Sequence, residues 1–440
     1  MSIFENLLQI KGFPIYKAKE KLEEIKGYND AQINKYHEEK RWEIVKEHFE
    51  NNPFYKKFNN NTFPKDWNEV PIIKKKQFQT ELSEVINPQV PSNRIFKGKT
   101  SGSSGLPMVF AKDKVCHALT WAVFIDRYSQ FDINPQDKQA RFWGMPVKGY
   151  PYYEQKLKDF VANRVRFVVN ELSDHVLEEY IKKLKKYKFK YIYGYPNALL
   201  LFARYLLKKN IVIKEICPSL KCCIVTSEVC LPEDEAILKD AFGVNILNEY
   251  GASEIGLIAF PDTSFNWNIT FEDLFIEVLD DNDNPVEDGV EGRIIVTSLY
   301  NKAMPFIRYE LGDITSIKKS SGYPKILNNL QGRLNDTVRL PSGRVFPGAT
   351  LHYISKVLMN NIKGLKEYNI KQTALDTLEY DFVAEGNVDD KVRKMVENVT
   401  FEYLEPGLKI KINKVDLIKR TAAGKFKHFQ SFIDSPEILR

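Results

Sequence analysis

The sequence predicts an α/β protein, with a large N-terminal domain of α/β sheets and a small α+β C-terminal domain. Between residues 100 and 249, short apolar segments that end in polar turns alternate with helical segments, which is typical of a parallel sheet covered by helices. From about Ile269 the segments alternate around the turn at 281–285, which favours antiparallel pairing in a β-barrel-like subdomain. A chain of 440 residues exceeds one ordinary core, and we place the domains at 1–332 and 333–440.

Local patterns place the elements of the large domain in order. Residues 1–95 carry helical periodicity with many charges, clearest over 33–49, and prolines then punctuate a looser stretch. The alternation that follows comprises predicted strands over 141–144, 165–169, 191–196, 220–225 and 244–249, and predicted helices over 115–128, 174–187, 197–208 and 232–242. Because an α/β sheet binds its ligands at the carboxyl ends of its strands, the polar residues after these strands are the candidate site.

Composition and charge exclude several classes of protein. The 64 basic and 58 acidic residues give a net charge of only +6, and the lysines are dispersed, so no nucleic-acid partner is expected. The densest basic stretch, 182–190, is interpreted as the solvated face and C-terminal turn of a helix. The five cysteines lack the spacing of a zinc site, and the longest apolar stretch, 198–207, is too short to span a bilayer. We therefore expect a cytoplasmic protein without a signal peptide, by default a homodimer.

The stretch after Lys99 concentrates hydroxyl and glycine residues. Four hydroxyl side chains and two glycines fill six positions, namely Thr100, Ser101, Gly102, Ser103, Ser104 and Gly105. Glycines let the backbone approach a ligand, and hydroxyls with successive N–H groups form a cradle for an anion. The stretch lacks the Gly-Lys-Ser/Thr of a P-loop. Taken alone, its turn chemistry favours a flexible linker or a plain turn.

A second constellation spans residues 248–254 and follows a predicted strand, so it is expected at the carboxyl end of that strand. In this segment Tyr250 can stack on a planar base, and the carboxylate of Glu254 can hold Mg²⁺. The plainer interpretation of Glu254 alone is a solvated carboxylate.

Three further segments lie near the predicted domain boundary and the C-terminus. Asp313 ends the segment 306–313 after a glycine and can accept two hydrogen bonds from a ribose diol, although such a residue alone is more often part of a turn. Residues 332–336 read Gly-Arg-Leu-Asn-Asp, and residues 421–427 contain a Gly-Lys pair that ends in Lys425. What is improbable by chance is the whole set in this order.

The set resembles the adenylate-forming ligase superfamily, and within it the phenylacetate–coenzyme A ligase branch with its relatives in capsular polysaccharide biosynthesis. The resemblance spans roughly residues 99–425 and is closest at Thr-Ser-Gly-Ser-Ser-Gly (100–105), Tyr-Gly-Ala-Ser-Glu (250–254), Arg-Tyr-Glu-Leu-Gly-Asp (308–313) and Gly-Arg-Leu-Asn-Asp (332–336). It implies a large domain that binds ATP and AMP and a small C-terminal domain that swings during the reaction.

The resemblance also implies a role for each matching residue. Residues 100–105 would wrap the β- and γ-phosphates of ATP, and Lys425 would bridge the substrate carboxylate and the α-phosphate. Glu254 would ligate Mg²⁺, while Asp313 would hold the ribose hydroxyls with help from Arg333. The other assignments are Tyr250 beside the adenine, Gly251 and Ala252 in the same AMP-binding segment, Ser253 on a phosphate, Ser227 and Glu228 along the adenine and acyl pocket, and Asp336 at the hinge.

The substrate acid is predicted only by class. The acyl pocket is expected around Trp143, Tyr193, Tyr195 and Pro196, whose aromatic rings favour a ring or a flat apolar acid. The same aromatic residues would serve equally well in a hydrophobic core.

Three functional hypotheses remain open from the sequence. In the first, the protein forms an acyl-adenylate from ATP and a small-molecule carboxylic acid, with Mg²⁺, and transfers the acyl group to coenzyme A. In the second, the acceptor is an amine, such as an amino sugar or an amino acid, or a carrier thiol. In the third, the protein is a non-catalytic nucleotide-binding or scaffold protein of a biosynthetic cluster. Likeness of fold alone does not fix function.

Overall fold

The computed structural model describes the chain in several ranges, and all structural statements refer to them: 3–100, 108–145, 150–170, 172–318, 322–333, 338–346, 350–386, 388–420, 426 and 428–433. The chain divides into two compact units. The first comprises Met1–Leu311 and Thr315–Leu330, and the second comprises Gly312–Ile314 and Gln331–Arg440.

The described helices follow the predicted periodicity closely. They are α1 (Ile3–Ile10), α2 (Ile15–Lys26), α3 (Asp30–Asn51), α4 (Pro53–Phe58), α5 (Leu82–Val85), α6 (Lys114–Ser129), α7 (Tyr150–Val161), α8 (Asp174–Lys186), α9 (Pro196–Lys208), α10 (Ile213–Ile216), α11 (Pro232–Phe242), α12 (Thr350–Asn361) and α13 (Asp390–Tyr403). The predicted helices over 115–128, 174–187, 197–208 and 232–242 are therefore confirmed, with ends displaced by no more than a residue or so.

The strands of the first unit are β1 (Ile73–Lys74), β2 (Ile95–Lys99), β3 (Val109–Asp113), β4 (Gln139–Trp143), β5 (Arg164–Val168), β6 (Tyr191–Gly194), β7 (Cys222–Thr226), β8 (Asn245–Ala252), β9 (Gly256–Pro261), β10 (Trp267–Ile269), β11 (Leu274–Leu279) and β12 (Gly292–Ser298). Two more, β13 (Tyr309–Ile317) and β14 (Leu327–Arg333), include residues of both units. The second unit adds β15 (Val338–Arg339), β16 (Val345–Phe346), β17 (Leu365–Ala374), β18 (Thr377–Ala384), β19 (Lys409–Lys414) and β20 (Phe429–Ser431).

A seven-stranded sheet organises the first unit, in the order β10-β9-β8-β7-β6-β4-β5. Strands β4 to β8 pair in parallel, and β9 and β10 extend the sheet antiparallel. Strand β7 is buried at every residue, as expected where helices cover both faces of a parallel sheet. Apolar residues of α8, α9 and α11 cover one face, and those of α2 and α6 cover the other. The predicted α/β class is confirmed.

The antiparallel region predicted from about Ile269 forms a five-stranded sheet. Its order is β1-β13-β12-β11, with β14 paired to β13. Strands β11 and β12 pair antiparallel around the predicted turn, whereas β1, from near residue 73, joins β13 in parallel. The N-terminal segment thus contributes a strand to a sheet that is otherwise built more than 200 residues later.

The second unit contains a four-stranded sheet in the order β19-β18-β17-β20. Strands β17 and β18 are antiparallel, whereas β19 and β20 pair in parallel with them. Leu358 of α12 and Val396 of α13 are buried in one core with Tyr380 and Phe382 of β18. The hairpin candidate around Gly343 is confirmed as the β15–β16 pair.

Across the described ranges, no helix combines the length and the apolar character needed to cross a membrane. The five cysteines are free thiols, and all of them are buried. Burial raises the pKa of Cys116 and of Cys222 to about 12, so these thiols stay protonated at neutral pH.

A buried carboxyl group makes the stability of the first unit depend on pH. Asp273, just before β11, is buried, and its Oδ1 has no hydrogen-bond partner in the described structure. Burial raises the pKa of Asp273 to about 7, although the charge of Lys112 lowers it in part. Because the folded pKa exceeds the unfolded value, the folded state holds this proton more tightly, and stability falls as pH rises from about 4 to 7.

We expect the Asp273→Asn variant to be more stable than the natural protein at pH 8. Its free energy of unfolding, measured with urea, should be larger by roughly 1–2 kcal/mol. A rise of the pKa from about 4 to about 7 corresponds to ~4 kcal/mol, and burying the polar amide of Asn at the same place offsets part of this gain. At pH 4 the two proteins should be similar, because both side chains are then neutral. A constant difference between the two proteins from pH 4 to 8 would contradict this origin of the pH dependence.

Candidate active site

The topology of the seven-stranded sheet creates a crevice between β4 and β6. The chain leaves β4 through α7 and returns in β5 on one side, whereas it leaves β6 through α9 and returns in β7 on the other side. Adjacent parallel strands whose connections diverge in this way form a switch point, and ligands of α/β sheets bind at its carboxyl end. The strands on both sides of this point end in residues that the sequence singled out.

Aromatic residues of the predicted acyl pocket meet at this crevice. The rings of Trp143 and Tyr195 stack with centroids 3.9 Å apart, and the ring of Tyr193 lies 5.8 Å from that of Trp143. Tyr195 is fully buried, while Trp143 and Tyr193 are half-buried. Pro196 begins α9 directly after Tyr195, in the first helical position that proline favours. The structure therefore brings the four predicted pocket residues together.

The turn after β7 carries Ser227 and Glu228. Ser227 has a φ of 70°, in the left-handed region that non-glycine residues adopt mainly in turns and at functional sites. The carboxylate of Glu228 accepts hydrogen bonds from the backbone N–H of Asn197 at 3.2 Å and from the Asn197 side chain at 3.0 Å. Since Asn197 is in the first turn of α9, the negative charge lies where the helix dipole stabilises it.

A cavity of about 430 Å³ opens beside this turn. One wall is formed by residues 228–232 with Asn248, and the other by Trp267 and residues 326–330. The cavity combines apolar and aromatic surface with amide and carboxylate groups, as small-molecule sites do. Its volume and lining suit a flat heterocyclic group with a polar edge.

Tyr250 and Gly251 lie within strand β8, so the motif is part of the sheet and does not follow a strand as predicted. Strand β8 exchanges its parallel partner β7 for the antiparallel partner β9 at Tyr250, with an irregular register there. A Cβ atom at Gly251 would lie 2.6 Å from the carbonyl oxygen of Gly256. Only glycine therefore permits this close approach of the two strands. Tyr250 faces Trp267 edge-on, with ring centroids 6.0 Å apart.

Glu254 is a buried carboxylate at the tip of this hairpin. It is only 8% exposed, and its Oε1 accepts a hydrogen bond from the hydroxyl of Tyr309 at 3.2 Å. Ser253 beside it is exposed, and Ala252 is half-buried. The surrounding fold holds the Glu254 carboxylate in place, so the plainer interpretation as a solvated side chain is wrong.

Thr100 closes the base of the predicted phosphate-binding stretch. Strands β2 and β3 form an antiparallel pair that ends at Lys99 and Val109. The Thr100 N–H donates to the carbonyl of Met108, and the Thr100 hydroxyl accepts from the Met108 N–H, both at 2.9 Å. The stretch therefore connects two paired strands, and its remaining residues, Ser101, Gly102, Ser103, Ser104 and Gly105, lie outside the described ranges.

The other predicted site residues belong to the second unit. Asp313 is half-buried within β13, and Arg333 is the last residue of β14, with only its backbone described. Asp336 and Lys425 lie outside the described ranges, so their assigned roles stay predictions.

Two charged residues at the crevice were not recognised from the sequence. The Glu249 carboxylate is buried and accepts hydrogen bonds from the hydroxyls of Tyr128, at 2.6 Å, and Tyr193, at 2.8 Å. Burial raises the pKa of Glu249, and these hydrogen bonds partly lower it. The guanidinium of Arg141 lies 4.5 Å from the ring centroid of Trp143 and 4.6 Å from that of Tyr193. Both residues could have been singled out from the sequence, because a charged residue is unusual inside a strand of a parallel sheet that helices cover on both faces.

We compared the chain with models of protein families and with curated proteins. No family model matches the chain. Over 439 residues the chain is 24% identical to Protein CapK of Staphylococcus aureus, and the match covers 91% of each chain. It is also 24% identical over 202 residues to a phenylacetate-coenzyme A ligase of Pseudomonas putida, which covers 44% of this chain and 46% of that relative.

The fold is similar to that of a solved ligase over nearly the whole chain. A crystal structure of 2-hydroxyisobutyryl-CoA ligase in the postadenylation state aligns with a TM-score of 0.67 and 18% identity, covering 89% of this chain and 88% of that one. In sequence and in fold the chain is similar to members of the adenylate-forming superfamily. The similar proteins include two phenylacetate-coenzyme A ligases, each matched over less than half of this chain.

Another adenylate-forming structure shows the same fold at lower coverage. The ATP-bound form of MatB from Rhodopseudomonas palustris aligns with a TM-score of 0.52 and 15% identity, covering 74% of this chain and 64% of that one. This likeness supports the fold of the chain and nothing more. The sequence identity is too low to carry a substrate from one protein to the other.

Proposed function

We propose that the protein activates a carboxylic acid with ATP to an acyl-adenylate, releases pyrophosphate, and transfers the acyl group to coenzyme A. The observation that carries this proposal is the arrangement at one edge of the seven-stranded sheet. There the turn of Ser227 and Glu228, the cavity beside it, the segment from Tyr250 to Glu254, and the aromatic crevice of Trp143 lie at neighbouring strand ends. A nucleotide and a small acid would thus bind side by side.

The adenine is assigned to the cavity between Glu228 and Trp267. Its aromatic wall and its amide groups suit a planar base with hydrogen-bonding edges. The phosphates are assigned to residues 100–105, whose hydroxyl and glycine content suits an anion. The ribose hydroxyls are assigned to Asp313, and the resemblance assigns Arg333 a supporting contact with them.

Glu254 fits the role of a Mg²⁺ ligand. Its carboxylate is held by Tyr309 and is little exposed. The described ranges contain no cluster of three or more His, Cys, Asp or Glu side chains that would form an all-protein cage. Mg²⁺ is commonly held by one or two carboxylates together with substrate phosphates, and the bound ion would neutralise phosphate charge.

The remaining residues act on the charges that develop in the reaction. A carboxylate oxygen of the acid attacks the α-phosphorus of ATP, the bond to the bridging oxygen breaks, and pyrophosphate leaves. Two anions must approach each other in this step, so positioning and cationic groups supply most of the rate. Lys425 is assigned to the carboxylate and the α-phosphate. In the second step a thiolate displaces AMP from the acyl carbon, and the thiol proton goes to solvent.

The acyl acceptor and the acid are proposed from separate observations. The relatives named phenylacetate-coenzyme A ligase and the similar 2-hydroxyisobutyryl-CoA ligase support coenzyme A as the acceptor. The stacked rings of Trp143 and Tyr195 support an acid with a ring or another flat apolar portion.

The test is exchange of pyrophosphate into ATP, measured with Mg²⁺ and a panel of aryl, aliphatic and amino acids. We expect exchange that depends on one class of acid, and thioester formation when coenzyme A is added. Exchange without a thioester, but with AMP release on addition of amines, would overturn the proposed acceptor alone. Absence of exchange with every acid, in protein that binds ATP, would overturn adenylation itself.

A further inference from the structure

Three arginines lie side by side on one face of the seven-stranded sheet. Arg141 of β4 pairs in register with Arg166 of β5, and Arg164 of β5 pairs with Gln139 of β4. Because side chains alternate along a strand, the three guanidinium groups project from the same face. On that face Arg141 is also in register with Tyr193 of β6, which lies across the switch point.

One of the three arginines is neutralised within the fold. Arg166 forms an ion pair with Asp159, with Nε–Oδ2 and Nη2–Oδ1 distances of 2.7 and 2.8 Å, and also donates to the carbonyl of Gly144. This bidentate geometry satisfies both charges. The pair therefore leaves the other two arginines as the positive charge of this face.

Arg141 and Arg164 have no carboxylate within 4 Å among the residues that the structure describes. The described hydrogen bond of Arg141 runs to Gln139 Oε1 at 3.3 Å, and the two rings of Trp143 and Tyr193 flank its guanidinium. The Nε of Arg164 is buried and has no hydrogen-bond partner in the part of the chain that the structure describes. A guanidinium carries five N–H donors, so donors at this face exceed the acceptors available.

The buried carboxylate of Glu249, whose pKa is raised by burial and partly lowered by the charge of Arg141, has other hydrogen-bond partners. Its two oxygens accept from Tyr128 and Tyr193. Burial, and to a smaller extent the charge of the neighbouring Arg164, lower the pKa of Arg141 to about 10. Arg141 is still charged at neutral pH, and the strain of a half-buried, unneutralised cation would be relieved by an anion.

We propose that the acid activated by this protein carries a second anionic group, a carboxylate or a phosphate, which Arg141 binds at the β4–β6 crevice. This inference rests on the proposed adenylation, since it names the class of acid for the same site. The flanking rings hold the guanidinium plane, which favours two parallel hydrogen bonds to the anion. Arg164 adds positive charge from the adjacent strand.

The geometry favours an anionic over a cationic substituent on the acid. A substrate ammonium group would need Glu249, whose oxygens already accept two short hydrogen bonds. An anion would instead find the unfilled donors of Arg141 and the charge of Arg164. The aromatic rings of Trp143 and Tyr195 would contact the apolar part of the same acid.

The test compares matched acids in pyrophosphate exchange. The pairs are pentanoate with pentanedioate, and phenylacetate with 1,4-phenylenediacetate, with 4-phosphonooxyphenylacetate as the phosphate arm and 4-aminomethylphenylacetate as the cationic arm. We expect kcat/KM to favour the acids with a second anion by about 100-fold, because a site built for a charged partner rejects acids that lack it. The preferred arm tells whether the anion is a carboxylate or a phosphate.

Variants separate binding from general damage. Arg141→Gln should lower the preference about 100-fold through KM, with kcat little changed, whereas the exposed Arg94→Gln variant should behave as the natural protein. Arg141→Lys keeps the charge without the fork and should recover part of the preference; it also serves if Arg141→Gln does not fold. An equal rate for both members of each pair, a preference that survives Arg141→Gln, or a preference for the ammonium acid would overturn the inference.

The two proposals can fail independently. Silence with every acid would overturn adenylation, and calorimetric binding of 1,4-phenylenediacetate against phenylacetate would then decide the anion site by itself. Tighter binding of the diacid that is lost in Arg141→Gln would support the anion site, and equal binding of the two acids to the natural protein would overturn it.

Discussion

The Lys425→Ala variant should form acyl-adenylate about 100- to 1,000-fold more slowly than the natural protein, the usual loss for one transition-state charge contact. The resemblance assigns this lysine to the approach of a carboxylate to an α-phosphate, where two negative charges meet. Its charge is needed in the transition state more than in the bound ground state, so the loss should appear in kcat. Acid-dependent pyrophosphate exchange at saturating ATP measures it.

The chain offers a matched control two residues away. Lys427→Ala removes the same charge from the same segment and should change exchange by no more than about twofold, because the resemblance assigns the contact with the carboxylate and the α-phosphate to Lys425. Binding of ATP to both variants should remain close to that of the natural protein. Normal exchange in Lys425→Ala would remove this residue from the mechanism, and loss in Lys427→Ala alone would transfer the role to Lys427.

The second large effect is expected on the free energy of unfolding, when the buried guanidinium of Arg308 is removed. This residue is 2% exposed, and its Nε donates to Glu277 at 3.3 Å while its Nη1 donates to the carbonyl of Val70 at 3.0 Å. Replacing Arg308 with methionine would remove the ion pair and leave the Glu277 carboxylate with the Trp67 N–H and the smaller effect of the Arg41 charge. We expect a loss of about 3–5 kcal/mol in the free energy of unfolding.

Urea unfolding of the single and double variants checks this assignment. The Arg308→Met/Glu277→Met protein should recover much of the loss, because apolar side chains of similar volume can replace a buried ion pair at little cost. Burial raises the pKa of Glu277, so the single variant should also become relatively more stable as pH falls and this carboxyl protonates. A loss below about 1 kcal/mol in Arg308→Met would show that the pair contributes little.

The sequence predicted the parallel sheet because its signals are local. Strand β7 is a run of five buried residues, and Pro232 and Gly243 bound helix α11 by their backbone preferences. Such features depend on residues a few positions apart. They therefore gave the strand–helix order and the place of Ser227 and Glu228 at a strand end.

Features set by long-range pairing were not predicted. The change of partner at Tyr250 depends on β9, and the parallel pairing of β1 depends on a strand more than 200 residues away. In the sequence Arg141 is a single charged residue within a strand. Its surroundings depend on its register with Arg166 and Tyr193 of the neighbouring strands, which the sequence does not show. The aromatic residues predicted for the acyl pocket likewise gave no indication of the guanidinium of Arg141 beside them.

The burial of the cysteines has a practical consequence for testing whether the C-terminal domain moves during the reaction, as the resemblance implies. Since all five natural thiols are buried, a maleimide dye should react mainly with cysteines that are introduced at exposed positions. Ser92 in the first unit and Lys391 in the second are both exposed. A fluorophore pair on Ser92→Cys and Lys391→Cys would therefore report changes in distance by energy transfer, without removal of any native cysteine, as ATP and acid are added.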